Sequence, residues 1–413
     1  YTIAPYATAT PVSLYTVGLD PTSSGNLGCV MLTTSVGTTM SFRFSLGGVS
    51  GGIASKGRIV EFDNPSGAGT VASGIMSRQT GTFATSSLSP AYAFGVDGED
   101  LTGKPIAAAG SFSVSSANGN ISSASADVDI AGTNSSALSG GTGTITGISA
   151  TNGRGTASFS MSGTTFAWTI YIVNANQVYL ISTASPAGGR ALATSTSFSA
   201  PSGNYVAYST GISSCSGTPC SDVNLARLTL NSGAASGTVW DYSISAGESS
   251  AAVSGGTYTT PGLSGRVAFT NTGSNGLISY LVSPAVDGIS SITVGTDAGA
   301  HFGYMAAQPT TAAPSGQFIY GTLDPRYNTV TTYAGTATIT PGGAFTGTED
   351  ESSQSGGLLS AVAASRTVTL GPNGTGSASV ANGSSIAVTD GTRIFWFDFG
   401  NGAPPVITIA EPQ

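Results

Sequence analysis

"APSGNYVAY" (200–208) and "APSGQFIYG" (313–321) share Ala-Pro-Ser-Gly followed by an aromatic residue in a short apolar run. The two copies are offset by 113 residues. The same step counted back from Tyr205 reaches Tyr92, in "SPAYAFG" (89–95). Further markers keep the spacing. "GTIT" (143–146) recurs as "GTYT" (256–259), and "GTASF" (155–159) as "GRVAF" (265–269) and "GSASV" (376–380). An aromatic strand, "TTFAWTIYIV" (164–173), is matched with "TTMSFRFSL" (38–46) and "RIFWFDFG" (393–400). Markers in a constant order, most of them 110–113 residues apart, indicate an internal repeat of about 110 residues.

The period within each unit is that of a strand. In "IAAAGSFSV" (106–114), Ile106, Ala108, Gly110, Phe112 and Val114 share one face; in "FAWTIYI" (166–172), Phe166, Trp168, Ile170 and Ile172 do. No stretch sustains helical spacing. Turn signals such as "ANGN" (117–120) and "GPNGTG" (371–376) recur about every ten residues. One unit then divides into about eight strands, starting near Tyr92, Ile106, Ile121, Thr144, Thr156, Phe166, Val178 and Ala191. The expectation is an all-β tandem array of antiparallel meanders, each an eight-stranded barrel or a two-sheet sandwich. The absence of a long crossover favours the barrel. The expected organisation is an extended tail over 1–12, a partial unit over 13–88, full units over 89–201 and 202–314, and a last unit over 315–413 lacking its final strand.

Composition limits the partners. Charged residues are 8% of the chain, against about 25% in an average soluble domain. The surface must therefore be mostly Ser, Thr, Gly and Asn. Net charge is −8, and the 12 Lys and Arg form no block. Nucleic acid and anionic membrane surfaces need clustered cations and are not expected partners. No apolar run approaches the ~18 residues of a membrane-spanning helix. A first residue of Tyr1 and an absent signal pattern suggest a processed, secreted product. Cys215 and Cys220, in "CSGTPC", are expected to form a local disulfide, leaving Cys29 over.

"KGRIVEFDNPSGAGTVASGIMSRQ" (56–79), "AYAFGVDGEDLTGKPIAAAGSFSV" (91–114), "GNISSASADVDIAGT" (119–133) and "NGRGTASFSM" (152–161) resemble a family of tandem-repeat secreted or surface proteins of soil bacteria. The likeness runs over about 25–200 and weakens beyond. It implies an extracellular, cell-surface location and all-β repeats. It implies no activity and supplies no catalytic residues.

Candidates for chemistry are sparse, and neither an enzyme nor a cofactor is expected. His301 is the one histidine. "GVSGG" (48–52) matches a nucleophile elbow around Ser50 without the helix that motif needs. "GEDLTGKP" (98–105) lacks the hydroxyl residue after Lys104 that a phosphate loop needs. Asp127 and Asp129 share a strand face and are weak Ca²⁺ candidates; Glu349, Asp350 and Glu351 fall at a corresponding place. Solvated faces are the expectation for these acids, and Asp97, Glu99 and Asp100 read as a hairpin tip. Phe42, Phe44, Phe166, Trp168, Phe395 and Phe397 read as core. Sequons at Asn120, Asn134, Asn373 and Asn382 are possible glycosylation sites.

The expected function is structural: a subunit of an extracellular filament or pilus-like fibre. An incomplete β unit exposes an unpaired edge. A tail from another copy, anchored by Tyr1, Ile3 and Tyr6, would complete it in donor-strand fashion and build a head-to-tail homopolymer. A monomeric surface adhesin or carbohydrate-binding module, with surface glycans as partners, is the alternative; a secreted glycoside hydrolase is the weaker one.

Overall fold

The computed structural model describes residues 15–19, 26–33, 39–63, 71–130, 133–215, 218–243, 247–272, 276–296, 299–323, 331–353, 357–380, 383–398 and 404–413. Apart from one 3-10 turn at Thr85–Ser87, every described element is a strand.

The first five strands are β1 (Tyr15–Leu19), β2 (Leu27–Thr33), β3 (Thr39–Gly47), β4 (Lys56–Glu61) and β5 (Ser73–Ser77). They form an open antiparallel sheet in sequence order. The next eight are β6 (Ala91–Glu99), β7 (Pro105–Val114), β8 (Asn120–Ile130), β9 (Thr133–Thr146), β10 (Arg154–Met161), β11 (Thr164–Asn174), β12 (Gln177–Ser182) and β13 (Ala187–Ala193). β13 returns to pair with β6, closing a barrel at Ala193 opposite Tyr92.

A second barrel follows: β14 (Gly203–Cys215), β15 (Thr218–Asn231), β16 (Ala234–Ser243), β17 (Gly247–Tyr258), β18 (Arg266–Thr270), β19 (Leu277–Val286), β20 (Ile289–Gly295) and β21 (Phe302–Ala307). The third is β22 (Gly316–Thr322), β23 (Thr331–Ile339), β24 (Ala344–Ser353), β25 (Gly357–Leu370), β26 (Thr375–Val380), β27 (Gly383–Thr389), β28 (Ile394–Asp398) and β29 (Val406–Pro412). These units are closed meander barrels rather than sandwiches.

Alternation produces the interiors. β10 reads exposed and buried in strict turn. Its inward Phe159 stacks on Phe166 at 5.0 Å, and Trp168 meets Phe94 edge-on at 5.1 Å. Eight strands leave a lumen that side chains alone can fill.

One expectation is corrected. The last unit does not stop a strand short: β29 closes it, with Phe318 opposite Pro412. The match of "RIFWFDFG" to "TTFAWTIYIV" implies a sixth strand, because the latter is β11, the sixth of its barrel. "RIFWFDFG" is in fact β28, the seventh, and the sixth is the plainer β27. Both faces of β28 are buried, and Phe395 and Phe397 are core as expected. Trp396 points into the barrel core, whereas Phe395 and Phe397 belong to a different cluster.

That cluster joins the barrels. Ala107, Ala109 and Leu192 from the first barrel pack with Tyr280, Ile292 and Phe302 from the second, and with Phe395, Phe397 and Ile407 from the third. Gly95 permits the closest approach: a Cβ there would lie 2.5 Å from Ile292 Cγ2 and Phe302 Cε2. The units are therefore not beads on a string. The open sheet closes the arrangement by packing β3 and β4 against β22 and β23 of the last barrel.

Candidate functional site

The open sheet is the part of the fold that differs from the rest. Among the described residues, β1 pairs only with β2 and β5 only with β4. Among the described residues its outer strands therefore have one neighbour each, whereas every barrel strand has two.

Register divides the sheet into two faces. Phe42, Phe44 and Leu46 of β3 share a face with Val30 and Leu32 of β2, Ile59 of β4 and Met76 of β5. This face forms a small apolar cluster of its own. Val30 and Phe44 are buried, but Leu32, Phe42, Ile59 and Met76 are only half-buried. Inward aromatic residues of the first barrel, such as Phe94 and Phe159, are fully covered.

The opposite face is docked. A Cβ on Gly47 would lie 2.7 Å from Ile319 Cδ1, so β3 presses on β22 where there is no side chain. Ser73 Oγ donates to the Thr322 carbonyl at 3.0 Å. Lys56 Nζ (3.1 Å) and Arg58 Nε (2.8 Å) donate to the Glu411 carboxylate on β29. Burial alone would raise the Glu411 carboxyl, but the Arg58 and Lys56 charges overcome it and hold the group down at about 2. β5 leads back to the first barrel, where Ser77 Oγ and Tyr179 Oη share a 2.8 Å bond and Gln79 Nε2 donates to the Ile172 carbonyl at 2.7 Å.

The sequence candidates fall elsewhere. Tyr1, Ile3 and Tyr6 lie outside the described residues. So do the side chains of Cys215 and Cys220, and Asn382. Cys29 is a free thiol, half-buried in β2. Asn120 and Asn373 are exposed. Asn134 is exposed too, and its Nδ2 donates to the Thr296 carbonyl at 2.6 Å, so a glycan there would leave one N–H for that bond.

Asp127 and Asp129 are not a solvated face, because both are buried. They lie on the outer side of the first barrel, where it meets the second. Arg266 grips Asp127 through Nε (2.7 Å) and Nη2 (2.9 Å), and Tyr280 Oη donates to it at 2.7 Å. The Ala137 amide adds a bond of 2.8 Å. Both Asp127 oxygens are thus committed to protein donors, leaving a poor calcium ligand. Among the described residues, no group of three or more His, Cys, Asp or Glu could hold a metal ion.

Glu349 and Asp350 of the last unit are buried as well, and Glu351 and Asp398 are half-buried. Asp350 accepts from Ser360 Oγ (3.0 Å) and the Ala361 amide (2.9 Å). Glu349 meets Arg366 at 3.2 Å and accepts from Tyr320 Oη at 2.8 Å. Asp398 lies 3.6 Å from Arg366 and accepts from Tyr333 Oη, which also bonds Thr408. Burial, reinforced by the Glu349 charge, pushes the Glu351 carboxyl up to about 7. One guanidinium thus holds a carboxylate-rich barrel interior together. Arg366, Tyr320, Tyr333 and Asp398 were missed by sequence reading. The available signal was a charge embedded in an otherwise apolar strand, such as Asp398 in "RIFWFDF".

The remaining candidates have structural roles. His301 is buried 3.7 Å from Asp222, in the space that Gly211 and Gly299 leave for its ring. Ser50 sits in an exposed hairpin bridged to Ile53. Lys104 follows the tip of the β6–β7 hairpin, where Asp100 Oδ1 accepts from the Thr102 and Lys104 amides at 2.8 and 2.9 Å.

No family model matches the chain, and no curated protein or solved structure matches it either.

Proposed function

We propose that this chain is an extracellular structural subunit that polymerises by β-strand addition. The observation that carries the reading is the open five-stranded sheet in a molecule whose other units all close on eight strands. An unpaired edge templates a further strand, and side-chain pockets on the adjoining face give such pairing its specificity. Here the adjoining face is half-buried at Leu32, Phe42, Ile59 and Met76. Covering the exposed halves of these four side chains is worth about 3–6 kcal/mol before the cost of ordering the incoming segment. The proposed donor is "YTIAPYATATP" (1–11) of a second copy, with Tyr1, Ile3 and Tyr6 as anchors. A contact between different surfaces on each copy propagates as a filament unless its rotation closes a ring.

Removing residues 1–11 tests this directly. The shortened chain should elute as a monomer and show no fibres by negative-stain microscopy, while the intact chain polymerises. Polymers of unchanged length from the shortened chain would refute the donor assignment. The extracellular setting carries two companion expectations, a Cys215–Cys220 disulfide and glycans on exposed sequons. Both are read by mass spectrometry of the native protein.

A further inference from the structure

Where the four units converge they enclose a cavity of about 870 Å³, within the size range of small-molecule sites. Exposed residues Arg78, Ala285, Ala307 and Pro309 lie on its border, so it opens to solvent. Its wall combines aromatic surface, chiefly Tyr208, Phe302 and Tyr304, with several charges.

Most of those charges are matched. Arg58 is engaged by Glu411. Arg393 is engaged by Asp390 and by the Asp287 and Gly288 carbonyls. Arg190 is not matched in this way. It is buried, its Nε donates to Tyr304 Oη at 3.2 Å, and its guanidinium lies 4.4 Å from the centre of that ring. Among the described residues its two terminal nitrogens have no acceptor, and no carboxylate lies within ion-pairing distance of them. Gln177 is a second, independent oddity. It is 3% exposed, lines the same cavity, and its Nε2 has no hydrogen-bond partner. The two residues sit diagonally across the β12–β13 ladder, with Gln177 opposite Leu192 and Arg190 opposite Tyr179. Long side chains at such positions reach each other.

A buried amide without an acceptor is costly, and so is a largely buried cation met only by tyrosine. An anion placed between them satisfies both. The guanidinium fork matches a carboxylate, and the volume and aromatic wall suit an organic body rather than a bare inorganic ion. We infer that this cavity binds a small organic carboxylate, its carboxylate on Arg190 and Gln177 and its apolar part against the tyrosine wall. Asp97, on the same wall, opposes that charge. The cavity reaches Met76 at the border of the open face, but Arg190 and Gln177 lie on the first barrel, so neither proposal depends on the other.

Benzoate is the probe, with benzyl alcohol and sulfate as controls, measured by isothermal titration calorimetry on the intact chain. Benzoate should bind saturably at one site. Benzyl alcohol and sulfate should each bind about ten-fold more weakly, since a charge-assisted pair and an apolar contact are each worth that much. Arg190→Gln should lose about ten-fold in affinity, and Asp97→Asn should bind more tightly. Undetectable benzoate binding, or equal binding of benzyl alcohol, overturns the assignment. Equal binding of sulfate overturns its organic part. If Arg190→Gln does not fold, Asp97→Asn decides: unchanged affinity in that variant contradicts the site.

Discussion

Glu411→Gln isolates the contact that closes the molecule. Glu411, on the last strand, takes both Lys56 and Arg58 of β4. Its carboxyl sits at about 2 against the ordinary 4.5. At about 1.36 kcal/mol per pH unit, the difference is worth about 3 kcal/mol. Arg58, with 7% of its side chain exposed, would be left as a buried charge without a counter-ion, which brings the total to about 3–5 kcal/mol at neutral pH. If that loss falls on docking of the sheet, the undocked population rises about a hundred-fold or more. Trypsin cleavage at Lys56 and Arg58 should accelerate by a similar factor while opening remains fast relative to cutting. The pH dependence gives a second reading. A carboxyl held below its ordinary value contributes fully above about pH 4.5, and that contribution is lost as the pH falls towards 2. The gap between the urea midpoints of parent and variant should therefore narrow over that interval. An unchanged cleavage rate, or a gap independent of pH, would refute the clasp.

Other consequences are independent of that contact. Asp127→Ala strips acceptors from Arg266, Tyr280 and the Ala137 amide, and should cost about 3 kcal/mol in urea unfolding; a loss below about 1 kcal/mol would contradict the barrel-to-barrel ion pair. Gly95→Ala should lower stability by about 1–3 kcal/mol, and that cost should shrink when measured in an Ile292→Ala background if the clash is with that side chain. Glu351 behaves oppositely to Glu411: its folded-state carboxyl is raised, so the molecule is favoured below about pH 4.5 and loses stability as the pH passes 7. Glu351→Gln should flatten that decline in a thermal-unfolding series, and an equally steep decline would show that another group is responsible.

The strands and the repeat were legible because alternation and turn chemistry are local. Tyr92, Tyr205 and Phe318 do open β6, β14 and β22, and Gly155, Gly265 and Gly376 mark the fifth strand of each barrel. The aromatic strand misled for a physical reason. Period two shows that Phe395 and Trp396 face opposite ways, but not which way is inward, and both faces of β28 are buried. Ring closure was not legible at all. Lys56 and Glu411 are 355 positions apart, and no local pattern announces a pair at that separation. The buried acids were misread for the same reason: an Asp on an outer barrel face looks solvated until a second barrel brings Arg266 to it. Arg190 carries no motif; only its unmatched terminal nitrogens at the junction of the four units single it out.

Strand addition is tested most directly by electron cryo-microscopy of the native assembled material, at a resolution that traces the open sheet. Under strand addition, β1–β5 gain at least one strand, continuous with Tyr1–Pro11 of a neighbouring copy. A sheet still holding five strands, or one completed by residues preceding Tyr1 in a longer chain, would contradict it.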